Sequence, residues 1–294
     1  VLVIGSTGQV GRELMAQTPS SLEVIAPSSA KLDITSIDQQ VYWLDKVKPE
    51  LIINASAYTS VDKAESEVEK AYAVNAEAIK NLAKLAAQRG MPIFHISTDY
   101  VFDGQSTYAY KENDNTCPVN VYGASKRLGE QYLAQYCPQH IILRTSWVFG
   151  CYGHNFVKTM LRLAQERTHL SIVADQRGCP TSAASIARLL WLLAIRLKTK
   201  QESFPWGVLH FANQPACTWY EFAKEIFSQA ARIGLLDEPP ELTAISSLEY
   251  PTPARRPASS ILDCTQLVQT GVGEPPEWKD ELCDALNKLQ VGVN

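Results

Sequence analysis

The chain has 294 residues, of which 46% are hydrophobic and 20% charged, with a formal net charge of -4. This balance suits a soluble globular enzyme and argues against nucleic acid or an anionic membrane as general partners, while leaving room for a local basic pocket. The length exceeds one compact domain and predicts a large unit with a smaller attached lobe.

In chain order, Val1–Ile4, Leu22–Ile25, Leu51–Asn54, Ile93–Ser97 and Ile141–Arg144 read as buried strands. Between them Gly8–Gln17, Thr35–Val47, Ser66–Gln88 and Tyr122–Tyr136 carry helical patterns. Such alternation implies right-handed crossovers and an α/β fold, a doubly wound parallel sheet covered by helices on both faces. After Gly150 the rhythm loosens into helices at Asn155–Glu166 and Ser185–Leu197, a strand at Val208–Ala212, and helices at Thr218–Ala231 and Trp278–Leu289. Thr218 is a plausible N-cap. Residues 237–260 hold Pro239, Pro240, Pro251, Pro253 and Pro257 and read as a shaped loop over a site.

Seven cysteines, at 117, 137, 151, 179, 217, 264 and 283, show no CxxC spacing, so reduced thiols in a cytoplasmic protein are expected. Arg188 and Arg196 interrupt the apolar run Ile186–Leu197, which is too short to span a membrane and reads as a buried helix. The strand-like opening leaves no room for a signal peptide. The lack of a starting Met suggests that a short N-terminal piece is missing.

The first functional signal is Gly5-Ser-Thr7-Gly8-Gln9-Val10-Gly11, set between a strand and a helix. Gly5 permits the tight turn, Gly8 lets a pyrophosphate approach the backbone, and Gly11 allows close helix–sheet packing. The helix N-terminus then favours the diphosphate of a dinucleotide. The GxxGxxG spacing points toward short-chain dehydrogenases. An acid on the ribose 2′-hydroxyl is expected near residues 26–29, but the segment reads Ala-Pro-Ser28-Ser29-Ala-Lys31. With no carboxylate to repel a 2′-phosphate, NADPH is favoured and NADH is the second choice.

The second signal is Tyr122-Gly-Ala-Ser-Lys126, whose spacing puts phenol and ammonium on one helix face. A phenol with a reference pKa of about 10 needs such a neighbour to titrate near neutrality. Ser97-Thr98 ends the preceding strand, so Thr98 can donate to the same carbonyl oxygen. Thr98, Tyr122 and Lys126 are therefore the candidate catalytic residues.

Longer stretches carry a resemblance. The segments Asn54-Ala-Ser-Ala-Tyr-Thr-Ser-Val-Asp62-Lys-Ala-Glu65, Ser97-Thr-Asp-Tyr-Val-Phe-Asp-Gly104, Val121–Lys126 and Arg144-Thr-Ser-Trp147-Val-Phe-Gly150 are similar to those of the dTDP-4-dehydrorhamnose reductases. Asn155–Leu161, Asp175–Thr181 and Tyr250–Pro257 continue it over nearly the whole chain. The resemblance implies a Rossmann-type unit over 1–149 and about 181–213, with a C-terminal α/β substrate lobe over about 150–180 and 214–294. It also implies hydride transfer from NAD(P)H to C4 of dTDP-4-dehydro-L-rhamnose. Tyr122 would protonate the alkoxide, Lys126 would hold the nicotinamide ribose and tune Tyr122, and Thr98 would complete the triad.

By the same likeness Thr7, Gln9, Val10, Ser28, Ser29, Ile34, Asn54, Ala55, Ser56 and Ala57 line the cofactor cleft, and Asp33 contacts the adenine. Asp99, Tyr100, Phe102, Trp147, Asn155 and Arg256 would face the dTDP-sugar, Arg256 toward its diphosphate. The histidines show no ligand spacing, and no role is expected for them. Some members of the family dimerise around Mg²⁺ held by glutamates. Glu13 matches one such position, but Ala184 stands where a second acid is expected. No tight metal site is predicted, which leaves monomer and homodimer both open.

Two other readings compete. An epimerase or dehydratase of the same superfamily would retain NAD⁺, but dehydratases carry Asp-Glu beside the catalytic Thr, where this chain has Asp99-Tyr100. A similar fold serves as the regulatory subunit of methionine adenosyltransferase. Loss of Tyr122 or Lys126 would favour that role, and both are present.

Overall fold

The computed structural model describes residues 1–199 and 204–293. The chain begins with β1 (Leu2–Ile4), α1 (Gln9–Ala16), α2 (Ile37–Val47) and β2 (Ile52–Asn54). Short helices α3 (Val61–Ala64) and α4 (Val68–Tyr72) lead through a π-helical turn at Ala73–Glu77 into α5 (Ala78–Gln88). Then come β3 (Ile93–Thr98), a 3₁₀ turn at Asp99–Val101, α6 (Val121–Tyr136) and β4 (His140–Thr145). The second half holds β5 (Val148–Phe149), α7 (Phe156–Glu166), β6 (His169–Val173), β7 (Arg177–Gly178), β8 (Thr181–Ser182), α8 (Ala183–Lys198) and β9 (Gly207–His210). It closes with β10 (Cys217–Thr218), α9 (Trp219–Arg232), β11 (Glu241–Ile245), α10 (Thr265–Gln269) and α11 (Trp278–Gln290).

The main sheet runs β1-β2-β3-β4-β9 and is parallel throughout. Alternate strand residues enter two separate cores. Val3, Ile53, Phe94, Ile141 and Leu143 pack with Leu14 of α1 and Ile186, Leu190 and Leu193 of α8. Leu2, Ile4, Ile52, Ile93 and Ile142 pack with Leu44 of α2, Ile79 and Leu82 of α5 and Leu133 of α6. Burial on both faces is why these strands read as unbroken apolar runs. Arg188 and Arg196 sit at partly exposed positions of α8, and no helix among the described residues is long and apolar enough to cross a membrane.

A third core belongs to the C-terminal lobe, where Phe149, Val157 and Leu170 meet Phe222, Ile226, Trp278 and Leu282. Thr218 caps α9 through a capping box with Glu221, as its position suggested.

Three expectations are corrected. Leu22–Ile25 forms no full strand; it touches the sheet through a single bridge between Ile25 and Leu2. Pro27 has no N–H with which to extend that ladder. The 237–260 stretch is not all loop, since β11 pairs in parallel with β6 and a 3₁₀ turn follows at Ser247–Glu249. Prolines on both sides mask a short, mostly exposed strand. The helix expected over Ser66–Gln88 starts at Val68 and changes to π register at Ala73–Glu77.

Candidate active site

The cofactor turn is shaped by backbone contact. Gly5 has φ +83°, and a Cβ there would lie 2.5 Å from the Ser56 backbone nitrogen. A Cβ on Gly11 would stand 2.0 Å from the Gly5 carbonyl oxygen. Both approaches forbid a side chain, so β1, α1 and the segment after β2 close around one groove. Gly8 is the N-cap of α1, no side chain caps that helix, and its first turn holds no acid. An anionic diphosphate fits such a terminus.

The other expected cofactor residues divide by position. Ala55, Ser56 and Ala57 are half-buried along the groove after β2, and Thr7 is exposed on the turn. Val10 and Ile34 belong to the cores on either face of the sheet. Ser28 and Ser29 lie in the loop after the Ile25 bridge, which Ser6 fastens to the glycine turn by donating to the Pro27 carbonyl at 3.1 Å. Asp33 Oδ1 accepts from the backbone N–H and hydroxyl of Thr35, at 2.9 and 2.7 Å.

Tyr122 and Thr98 meet. Asn120 caps α6 by accepting from Gly123 N at 2.8 Å, and a Cβ on Gly123 would lie 2.1 Å from the Tyr100 carbonyl oxygen. That close contact brings α6 against the end of β3, setting Tyr122 beside Thr98, whose hydroxyl donates to Asp99 Oδ1 at 3.0 Å. Tyr122 packs edge-on against Tyr100, with ring centroids 5.6 Å apart. Burial pushes its phenol up to about 12, so it is a protonated donor at neutral pH.

Lys126 is 1% exposed. Its Nζ donates to the Ile96 carbonyl at 2.7 Å and lies 3.1 Å from Nε2 of His95. Burial draws it down to about 8, against a smaller opposing pull from Glu130. The causes of the Tyr122 shift are burial, Thr98 and the charge of Asp99. Lys126 aims its amine at the middle of β3, the central strand of the sheet, where Ile96 and His95 take it.

The expected substrate residues separate further. Tyr100 lies beside Tyr122, in reach of the same space. Trp147 has φ 45° and stacks on Trp219 at 3.5 Å between centroids, half-buried against the third core. Phe102 and Asp99 are turned into the interior, away from the role expected for them. Phe102 is fully buried and stacked on Tyr110 at 4.2 Å, because the 3₁₀ turn directs it into a separate apolar cluster. Asp99 is 2% exposed and turns toward Thr98, Ser146 and Ser260; burial raises its carboxyl to about 6. Asn155 caps α7 and donates to Gln9 Oε1 at 2.9 Å, tying the lobe to the glycine-rich turn.

Arg256 is held by Asp62 through a fork of 3.0 and 2.8 Å, and this pairing keeps the Asp62 carboxyl below its usual range. Glu13 is buried, and its carboxylate takes the Lys288 ammonium and the Gln17 amide. No group of three or more His, Cys, Asp or Glu side chains with metal-holding geometry occurs among the described residues.

Two site residues escaped the sequence. Asn75, in the π turn, donates to the Tyr58 carbonyl and to Ser125 Oγ, both at 3.0 Å, and accepts from Tyr58 N. It braces the Tyr-Gly-Ala-Ser-Lys helix from the side. His95 contacts Lys126 directly, contrary to the expectation that no histidine has a role. A histidine in the middle of a mostly apolar strand gave no signal for it.

With this geometry in place, comparison places the chain among known proteins. Residues 1–291 match the RmlD substrate binding domain family. A dTDP-4-dehydrorhamnose reductase of Aggregatibacter actinomycetemcomitans is 45% identical over 96% of each chain. The crystal structure of a dTDP-4-dehydrorhamnose reductase from Clostridium acetobutylicum superposes with a TM-score of 0.90 at 36% identity, covering 98% of this chain and 99% of that one. The Bacillus anthracis enzyme of that name, solved in complex with NADP, gives the same TM-score and identity over 98% of both chains.

Proposed function

The chain belongs to the dTDP-4-dehydrorhamnose reductase family, and we propose that it reduces the 4-keto group of dTDP-4-dehydro-L-rhamnose to give dTDP-L-rhamnose. NADPH is the reductant and supplies the hydride when bound. Its place is the groove formed by Gly5, Gly8, Gly11 and residues 54–57, in a unit that we assign to 1–149 and about 181–213. Ser28, Ser29 and Lys31 suit a 2′-phosphate, since residues 26–31 include no carboxylate. NADH is the weaker alternative. Seven free cysteines accord with a cytoplasmic enzyme.

The observation that carries the mechanism is the buried, protonated Tyr122 set beside Thr98 at the end of β3. Thr98 stands at the carboxyl end of β3 beside Tyr122; one ketone oxygen there can accept from Tyr122, and from Thr98 once its hydroxyl turns from Asp99 Oδ1, to which it donates at 3.0 Å. As hydride reaches C4 that oxygen becomes an alkoxide, and Tyr122 gives it a proton while Thr98 holds it in place. Proton donation of this kind is worth ~10²–10⁴-fold, and orientation of donor and ketone supplies the rest. Trp147 and Tyr100 offer flat walls for the sugar and base, and Arg256 suits the diphosphate.

The test follows NADPH consumption with the keto-sugar nucleotide generated in situ. Wild type is expected to turn over stoichiometrically. Tyr122→Phe is expected to lose ~10²–10⁴-fold in kcat and still bind NADPH. A folded wild-type protein that binds NADPH and never consumes it with this substrate would refute the assignment.

A further inference from the structure

The side chain of Asn155 commits its polar atoms inside the protein. Its Oδ1 accepts from Lys158 N at 3.1 Å and so caps α7, whose Val157 and Met160 enter the core of the C-terminal lobe. Its Nδ2 donates to the Gly150 carbonyl at 2.8 Å, with Tyr152 taking a weaker share at 3.3 Å, and to Gln9 Oε1 at 2.9 Å. The mechanism above gives this last contact no task.

The cap fixes which way round both amides lie. Oδ1 of Asn155 must face the Lys158 N–H, so Asn155 meets Gln9 with its NH₂, and the Gln9 atom that receives it is the carbonyl oxygen. The Gln9 NH₂ therefore turns away from Asn155 and has no acceptor among the described residues. The loop between β5 and α7 closes over this side chain. Gly153 has φ +66°, and a Cβ there would stand 2.8 Å from Gln9 Cγ, while the Tyr152 ring lies 4.1 Å from the Arg12 guanidinium of α1. Gln9 opens α1 directly after Gly8. Helical side chains lean toward the N-terminus, so the first one overhangs the end of the helix. That end carries no acid in its first turn and is where the glycine turn suits a diphosphate.

We propose that Asn155 is a positioning residue for cofactor binding: from the C-terminal lobe it holds the carbonyl of Gln9, so that the Gln9 NH₂ is presented to the diphosphate of NADPH. The proposal rests on the NADPH reading above. It adds that the lobe, as well as the glycine turn, sets the affinity for the cofactor. The coupling is reciprocal, so a bound diphosphate strengthens the hold of the lobe on α1.

Fluorescence titration of the full chain with NADPH, without sugar nucleotide, tests this. Gln9→Ala removes the donor and is expected to raise Kd by ~10-fold, the worth of one hydrogen bond to a charged group. Asn155→Asp keeps the helix cap but accepts from the Gln9 NH₂ and turns that amide round, so Kd should rise at least as far. The double variant separates aim from added charge. If Asn155 acts through Gln9, Asn155→Asp costs much less affinity in the Gln9→Ala background than in wild type. Asn155→Ser, which also caps a helix but is too short to reach Gln9, must show the same dependence and serves if the aspartate variant does not fold. An unchanged Kd in folded Gln9→Ala overturns the proposal, and so do losses that simply add. A wild-type protein that binds no NADPH at all refutes the cofactor reading instead, so the two failures are told apart.

Discussion

Asp99 places a carboxyl where water does not reach, and Lys126 does the same with an amine; burial moves the first up to about 6 and the second down to about 8. The two have opposite stability signatures. For Asp99 the folded value exceeds the unfolded one, so the charged form costs stability above pH 6 and the cost fades as pH falls toward 4. Asp99→Asn is therefore expected to raise stability at pH 8 by at most about 3 kcal/mol, at 1.36 kcal/mol per unit, and to gain little at pH 4. Lys126 has a lowered folded value, so its cost is present below pH 8 and disappears as pH rises toward 10.5. The stability of wild type relative to Lys126→Met should accordingly improve between pH 7 and 10. Denaturant unfolding at several pH values checks both, and a flat difference for either variant contradicts the burial argument. Tyr122, Lys126 and Thr98 were legible in the sequence because their spacing is local. The inward turn of Asp99 and the parts played by Asn75 and His95 were not, because their partners (Ser146 and Ser260, Tyr58 and Ser125, Asn54) come from remote segments.

Among the elements, α6 bears Tyr122 and Lys126, to which the proposed function assigns the chemistry, and its place depends on one missing methyl. A Cβ at Gly123 would lie 2.1 Å from the Tyr100 carbonyl, a distance that backbone must relieve by moving. Gly123→Ala is expected to push the start of α6 away from β3 and separate Tyr122 from Thr98. The overpacking should cost about 1–3 kcal/mol, and kcat should fall more than NADPH affinity. Unchanged kcat in a folded variant would show that the Tyr122–Thr98 contact is not needed. The strands of the main sheet were readable because both faces are buried, and the helices because each has one apolar side. Leu22–Ile25 misled because its apolar residues pack on the sheet without a ladder, through the lone bridge at Ile25. β11 was hidden for the opposite reason, as a ladder with little apolar burial. The π turn at Ala73–Glu77 has no composition of its own, and only the contacts of Asn75 reveal it.

At the scale of the whole molecule, the site depends on straps that cross from one half of the chain to the other. Asn155 holds Gln9 beside the glycine turn, and Asp62 holds the segment that bears Arg256. The second strap is the more informative for function. Asp62 accepts from Ala254 N at 3.2 Å and from both terminal nitrogens of Arg256, while Asn120 donates to the Arg255 carbonyl at 2.8 Å. The Pro-rich segment is thus fixed from α3 and from the cap of α6, two residues before Tyr122. Arg256 keeps part of its guanidinium open, at 24% side-chain exposure. If that face meets the substrate diphosphate, Asp62 acts by aiming it. Asp62→Ala should then raise KM for the sugar nucleotide by ~10-fold, the worth of one hydrogen bond to a charged group. NADPH affinity should not change, since the glycine turn and residues 26–31 lie outside this clamp. Stability should change little, because the pair is partly exposed. Arg256→Lys keeps the charge and loses the fork, so it should raise KM in the same direction. A KM that stays at the wild-type value in both variants would remove Arg256 from the substrate site and leave the clamp as a purely structural strap.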